Sequence, residues 1–352
     1  MIKPKIRFDN NYPEWAVVKV EDIIDYERPD KYIVKSDDYC GFGVPVLTAN
    51  KSFILGFTDE NEGVYEGTSA IIFDDFTCDS KYVDFPFKVK SSAIKILSSK
   101  DDNKTSLKFF YECLNSKAYK PKGHQRHWIG IVQKQELAIP CYQEQQKIAA
   151  FFTALDEKIK IYSQKIDYLH NLKKGVVKKL FSEISSGEEF ILGDLVGRIS
   201  SGKTKNVKDN IGKYPLCGST GVIGCCRHHE YSGEKILIAR VGANAGTVNF
   251  HYGDCGVTDN TLVISSCKST VSLKWLFHFL TFKNLTKMVF GSGQPLITAS
   301  QLKNISVPVP SIECQIVVVN TLDTMDKAVE IASKKLDCLQ SFKKAFMQQM
   351  FV

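Results

Sequence analysis

The strongest constraint on this chain is a segment that it carries twice. Pro140-Cys-Tyr-Gln-Glu-Gln-Gln-Lys-Ile opens one copy and Pro310-Ser-Ile-Glu-Cys-Gln-Ile-Val-Val opens the other. The offset of 170 holds without a gap to Phe181 and Phe351, and 11 of the 42 aligned positions are identical. They include Gln145/Gln315, Asp156/Asp326, Lys173/Lys343 and Phe181/Phe351. Fainter echoes lie upstream: Ser106-Leu-Lys-Phe-Phe-Tyr-Glu-Cys-Leu resembles Ser272-Leu-Lys-Trp-Leu-Phe-His-Phe-Leu at an offset of 166. This is one duplication of a unit of about 170 residues, each with a variable front and a similar tail, rather than a solenoid of short repeats.

Both tails predict long helices. Phe152, Leu155, Ile159, Tyr162, Ile166, Leu169, Val176 and Leu180 follow alternating spacings of three and four. Leu322, Met325, Val329, Ala332, Leu336, Leu339, Phe346 and Met350 keep the same register. That is the a/d seam of a coiled coil. A helix of 35–40 residues is about 55–60 Å long, more than a domain of this size needs, so the two stripes are expected to pack on each other as a spacer. Lys173 and Lys343 interrupt the seam near its ends, where a lysine is expected to snorkel to water. Ser311 suits an N-cap, and Glu144 stands where a capping-box acid would.

The fronts predict mixed α/β structure. Apolar runs such as Ala70-Ile-Ile-Phe, Lys235-Ile-Leu-Ile-Ala and Thr261-Leu-Val-Ile suit strands, and Gly/Asn clusters such as Gly242-Ala-Asn-Ala-Gly246 suit turns. The expected fold class is therefore α+β. Two mixed domains, 1–139 and 186–309, are separated by two long antiparallel coiled-coil helices, 140–185 and 310–352, with an internal pseudo-two-fold duplication.

Composition narrows the class. The 352 residues are 43% hydrophobic, enough for two cores and against a disordered chain. A net charge of +7 allows a nucleic-acid surface without being a polycationic tail. Eleven scattered cysteines, with no export signal or membrane-length apolar run, point to reduced thiols and a cytoplasmic protein.

A domain–helix–domain–helix plan with these motifs resembles the specificity (S) subunit of type I restriction-modification systems. The tail pattern Pro-x-x-x-Glu-Gln-x-x-Ile (Pro140, Glu144, Gln145, Ile148) looks like the family's conserved helical region; Cys314 and Val318 replace the Glu and Ile in the second tail. Leu192-Gly-Asp-Leu, Tyr214-Pro-Leu-Cys-Gly-Ser-Thr-Gly221, Ile236-Leu-Ile-Ala-Arg-Val-Gly-Ala-Asn-Ala-Gly-Thr247 and Gly293-Gln-Pro-Leu-Ile-Thr-Ala-Ser-Gln-Leu302 are phrases typical of its target-recognition domains. The first front departs from them, with Asp74 where the second has Arg240 and Arg126-His127-Trp128 where the second has Leu-Ile-Thr. The resemblance implies a non-catalytic reader of a bipartite double-stranded DNA target with a fixed spacer. Two modification (methyltransferase) subunits and restriction/translocase subunits would be its partners. S-adenosylmethionine, ATP and magnesium would reside in those subunits, with none bound by this chain.

Bases and phosphates are recognised by Arg, Lys, Asn and Gln. Candidate DNA contacts are Lys203, Lys205, Lys213, Arg240, Asn244 and Gln294 in the second front, and Lys51, Lys81, Lys88, Lys122, Gln125 and Arg126 in the first. Candidate partner or spacer positions are Glu144, Gln145, Leu155, Ile159, Gln315, Met325 and Val329.

Rival readings are weaker. Gly197-Arg-Ile-Ser-Ser-Gly202-Lys203-Thr204 fits the P-loop pattern, but no apolar helical stretch follows it. No Asn/Asp-Pro-Pro-aromatic motif supports methyl transfer. Cys217, Cys225, Cys226, His228, His229, His251 and Cys255 cluster within 39 positions, but adjacent Cys225-Cys226 and His228-His229 break the paired spacing zinc prefers, so no metal site is expected. A coiled-coil scaffold carrying two β-rich ligand-binding domains is the non-DNA alternative.

Overall fold

The computed structural model describes residues 4–9, 11–50, 52–117, 126–184, 188–204, 212–290 and 295–351. The chain divides into two compact units, 1–163 with 334–352, and 164–333.

Unit 1 contains β1 (Ala16–Lys19), α1 (Val20–Ile23), β2 (Ile24–Glu27), β3 (Val44–Leu47), β4 (Ile54–Thr58), β5 (Ala70–Asp74), β6 (Ser80–Val83), β7 (Lys88–Val89), β8 (Ile94–Ser99), α2 (Leu107–Ser116), β9 (Glu136–Ile139) and the start of α3 (Tyr142–Glu183). Its main sheet is antiparallel with order β2-β8-β5-β6; β4-β3-β7 form a second sheet and β1-β9 a ribbon. The continuous run Ala70-Ile-Ile-Phe makes β5 an inner strand buried on both faces, as such a run should. Ile71, Phe73 and Leu97 pack towards α1 and α2, and Ala70, Ile72 and Val83 towards Leu47 and Phe87 of the second sheet.

Unit 2 repeats this plan. The end of α3 is followed by β10 (Glu188–Ile191), α4 (Leu192–Leu195), β11 (Ile199–Ser201), β12 (Tyr214–Gly218), β13 (Gly221–Cys226), β14 (Glu234–Ala239), β15 (Val248–Tyr252), β16 (Gly256–Val257), β17 (Thr261–Ile264), α5 (Leu273–Lys283), α6 (Ala299–Lys303), β18 (Ser306–Val309) and the start of α7 (Ile312–Met350). The orders β11-β17-β14-β15, β13-β12-β16 and β10-β18 match those of unit 1 strand for strand. Even the register slip recurs, between Val46/Leu47 and between Leu216/Cys217.

The long helices run antiparallel in each unit. In unit 1, Phe151 of α3 packs on Phe342 and Phe346 of α7; in unit 2, the end of α3 meets the start of α7 around Val318 and Leu322. Seam residues are the less exposed positions of both helices: Phe152, Leu155, Leu322, Ala332 and Met350 are buried, and Ile159, Met325 and Val329 half-buried. Lys173 and Lys343 do not snorkel to water as expected. Lys343 pairs with Asp156 at 2.6 Å in unit 1, and Lys173 pairs with Asp326 in unit 2. These four residues are two of the repeat's identical pairs, so the duplication makes one ion pair twice. No helix among the described residues is long and apolar enough to cross a membrane.

What fastens each long helix to its sheet is also duplicated. Ser106 caps α2 and Ser272 caps α5, each hydroxyl accepting from the backbone three residues on. Gln145 is buried; its Oε1 accepts from the Ser106 N–H at 2.9 Å, and its Nε2 donates to the carbonyls of Pro140 and Lys104. Gln315 does the same with the Ser272 N–H at 2.7 Å and the carbonyls of Pro310 and Thr270. A buried amide with three partners ties helix, strand end and short helix together.

Candidate nucleic-acid interface

A polar loop cluster lies at the C-terminal end of β14. The Arg240 N–H donates to the Asn260 carbonyl at 2.9 Å, and its own carbonyl accepts from Ile297 N–H at 2.9 Å. Gly242 N–H reaches the Pro295 carbonyl, bridging the turn to the segment around Leu296. The turn Gly242–Gly246 closes on two glycines with positive φ; at Gly246 a Cβ would lie 2.6 Å from the Thr286 nitrogen. Only glycine permits that approach. The backbone of Arg240 is thus fixed on both sides, its side chain is half-buried, and it makes no ion pair among the described residues. Asn244 is exposed on the same turn.

The sheet register corrects the sequence alignment by one residue. Asp75, not Asp74, is the counterpart of Arg240: the Asp75 N–H donates to the Ala93 carbonyl and its carbonyl accepts from His127 N–H. Asp75 is buried, faces Lys95 at 3.4 Å, and accepts from the Trp128 N–H at 2.7 Å. Where unit 2 presents an arginine, unit 1 buries a carboxylate that anchors the chain beyond Arg126.

The remaining expected contacts fall into three groups. Arg126, Lys203 and Lys213 are exposed and Lys81 half-exposed. Lys213 lies 5.6 Å from the centre of the Tyr214 ring, and that ring packs on His229. Lys88 is a correction: it is buried, pairs with Glu60 at 2.9 Å and donates to the Glu62 carbonyl, so it braces the second sheet of unit 1 and cannot reach a ligand. That partner also holds the Glu60 carboxyl below its usual range. Lys51, Lys122, Gln125, Lys205 and Gln294 lie outside the described residues.

The helix positions need a similar correction. Glu144 is not a capping acid. It is buried, and the Arg7 guanidinium grips it with both arms, Nε–Oε1 at 2.9 Å and Nη2–Oε2 at 2.5 Å. Glu144, Gln145 and Gln315 are therefore occupied inside their own units. Exposed apolar side chains on the two long helices include Ile161 and Phe342 in unit 1, and Tyr168, Leu172, Ile312, Ile316, Val317 and Ile331 in unit 2.

The P-loop reading fails on geometry. β11 occupies the middle of the motif, and the N–H groups that would cradle a phosphate are already used: Gly197 by Ser266, Gly202 by Thr261, Lys203 by the Glu230 carboxylate and Thr204 by Val257.

Two clusters stand out, one with no counterpart in the sequence analysis and one drawn from the cysteine–histidine set expected there to hold no metal. In unit 1, Lys108 and Lys343 each bind both Glu112 and Asp156, at 2.6–3.2 Å, around a fully buried Glu112. In unit 2, Cys217, His251 and Cys255 bring their sulfur and nitrogen atoms within 4.8 Å of one another. The first left a trace in the sequence, since Asp156 and Lys343 both belong to identical pairs of the repeat.

Comparison with known proteins places this architecture. The family model described as the type I restriction modification DNA specificity domain matches residues 12–171 and 186–341. The chain is 40% identical over 195 residues to the EcoR124I/EcoR124II specificity subunit of Escherichia coli, covering 49% of this chain and 48% of that one. It thus spans about half the length of that relative. It is 24% identical to the MjaVIII specificity subunit of Methanocaldococcus jannaschii, over 95% of this chain and 91% of that one. The crystal structure of a type I system S subunit from M. genitalium superposes with a TM-score of 0.75 at 18% identity, covering 100% of this chain and 99% of that one.

Proposed function

Since the chain belongs to the type I restriction-modification DNA specificity family, we propose that it is the non-catalytic reader of a split double-stranded DNA target with a fixed spacer. The observation that carries this reading is one recognition frame built twice with different side chains at equivalent positions, Arg240 against Asp75 foremost. Two such frames read two different half-sites. Arg240 and Asn244 on the glycine turn suit base edges, guanine and adenine respectively, and Lys203, Lys213, Lys81 and Arg126 suit phosphates.

The long helices set the spacer and dock the modification subunits, with restriction/translocase subunits joining them. The docking face is supplied by the exposed apolar positions Ile316 and Val317, beside a cavity of about 390 Å³ lined by Leu180, Ile184, Cys314 and Val318. S-adenosylmethionine, ATP and magnesium belong to the partners, and a system of this kind works in the cytoplasm.

The test is co-purification with candidate modification subunits, followed by mapping of methylated bases. The expected result is a bipartite motif with a constant gap. Exchanging residues 1–139 for another domain of the family should alter one half-site only. Deleting one heptad from α3 shortens it by about 10 Å, about three base pairs, and should change the gap while leaving both half-sites intact. Altered half-sites with an unchanged gap would refute the spacer role. Failure to form a complex, with DNA binding insensitive to salt, would refute the reader and favour a ligand-binding scaffold.

A further inference from the structure

The duplication provides an internal control for the cysteine–histidine cluster of unit 2. Strand register makes Cys217 the counterpart of Leu47, since each lies beside the equivalent valine, Val257 or Val89. Cys255 corresponds to Phe87, each bridged to a tyrosine, Tyr231 or Tyr65. Lys235 pairs across the sheet with His251 as Ala70 pairs with Val83. In unit 1 these four positions hold Leu47, Ala70, Val83 and Phe87, all buried in one apolar cluster. In unit 2 the same places hold two thiols, an imidazole and an ammonium. The fold itself therefore does not require polar groups there.

We propose that Cys217, Cys255 and His251 form a binding site for a thiophilic metal ion of the zinc class. Two sulfurs and an imidazole are the donors such an ion prefers, and atoms within 4.8 Å need only a small contraction to reach bonds of about 2.0–2.3 Å. The ring Nε2 of His251 is buried and has no hydrogen-bond partner among the described residues. Both cysteines are fully buried and His251 is half-buried; three protein ligands of this kind would leave a fourth position for water.

Lys235 supports the donor set from behind. It is fully buried, and its ammonium donates to the carbonyls of Gly233 and Gly253. The hydrogen bond from Cys217 and the Lys235 charge hold the Cys255 thiol down to about 7, while that same bond, with burial, pushes the Cys217 thiol up. The ion would tie β12 to β15 and to the turn before β16. It would cross-link the two sheets of unit 2 where unit 1 relies on Leu47 and Phe87. This assignment does not rest on the DNA-reading function.

The reduced, chelator-treated full chain is titrated with Co²⁺ and then with Zn²⁺, and bound metal is counted. The expected result is one Co²⁺ per chain with thiolate charge-transfer and tetrahedral ligand-field absorption, displaced by Zn²⁺. Cys255→Ser should weaken binding by more than about 100-fold, beyond the usual cost of losing an outer partner, and His251→Val, the residue of unit 1, by at least about 10-fold. Cys225→Ser, beside the cluster, should leave binding unchanged. Circular dichroism of each variant separates lost ligands from lost folding. The assignment is overturned if the folded wild type binds no stoichiometric metal, or if Cys225→Ser weakens binding as much as Cys255→Ser. It is also overturned if Cys217 and Cys255 are recovered as a disulfide whose reduced form takes up no metal.

Discussion

Units 1 and 2 share strand order, ribbon, capped short helix and glutamine clamp, yet they fill the middle of that frame differently. At the Arg240 position unit 1 has a buried Asp75 held against Lys95. At the His278 position of α5, the offset of 166 places Glu112 of α2. Glu112 is enclosed by Lys108 and Lys343, whereas His278 lies 3.4 Å from Asp323, which also binds Lys274. What stays constant is the attachment of helix to sheet; what varies is the charge inside and at the strand ends. A frame fastened by backbone-directed glutamines tolerates such variation, because the clamp contacts main-chain atoms that every sequence supplies.

The sharpest way to break this comparison is to empty the charge cluster of each unit. Glu112→Ala leaves two partly buried lysines sharing Asp156 alone, and removing one partner of a buried ionic set costs about 3–5 kcal/mol. His278→Ala removes one long contact to an Asp323 that keeps Lys274, and should cost about 1–2 kcal/mol. Denaturant melts followed by hydrogen exchange at α2 and α5 would separate the two units. Equal losses would mean that the clusters are interchangeable.

The clamps sharpen the comparison from the other side. Gln145→Ala and Gln315→Ala each strand one N–H and two carbonyls, at about 2–3 kcal/mol each. The prediction is near equality between the units, with α2 exchange quickened in the first variant and α5 exchange in the second. A large asymmetry would show that the duplicated geometry hides unequal energetics.

Arg240→Ala should lower DNA affinity of the assembled complex by about 1–3 kcal/mol and relax one half-site only, with no loss of melting stability. Relaxation of both half-sites would contradict independent reading by two units.

Legibility in the sequence followed the same division. The helices were visible because a 3.5-residue apolar period over 42 positions has no other economical structure. The duplication was visible because 11 identities survive there. Gln145, Gln315, Asp156 and Lys343 are flagged by identity, but further partners lie far along the chain, at Ser106, Ser272, Lys108 and Glu112, and no local pattern joins them. Lys88 was misread as a surface cation because nothing in Lys88-Val-Lys tells a buried strand lysine from an exposed one; its partner Glu60 sits on a distant loop. Asp75 was missed by one position because an offset taken from helices does not carry into strands separated by insertions.

The smallest expected effect concerns pH. Burial holds His278 below the ordinary imidazole value of 6.5, against the opposing pull of Asp323. The groups that face it are Asp323, Asp326 and Lys173, with Phe277 against its ring. Above about pH 7 the imidazole is neutral in both folded and unfolded chains and contributes no pH dependence. As pH falls through 6.5 the unfolded chain takes up a proton that the folded chain resists, so unit 2 loses stability until the folded value is passed. In the metal-free chain His251, also lowered by burial and by Lys235, acts in the same direction. The loss should amount to roughly 1 kcal/mol between pH 7 and 5.5, read as faster exchange of the α5 amides than of the α2 amides. His278→Gln should reduce that slope, and adding His251→Val should nearly flatten it. An unchanged slope in the double variant would place the titrating groups outside these two clusters.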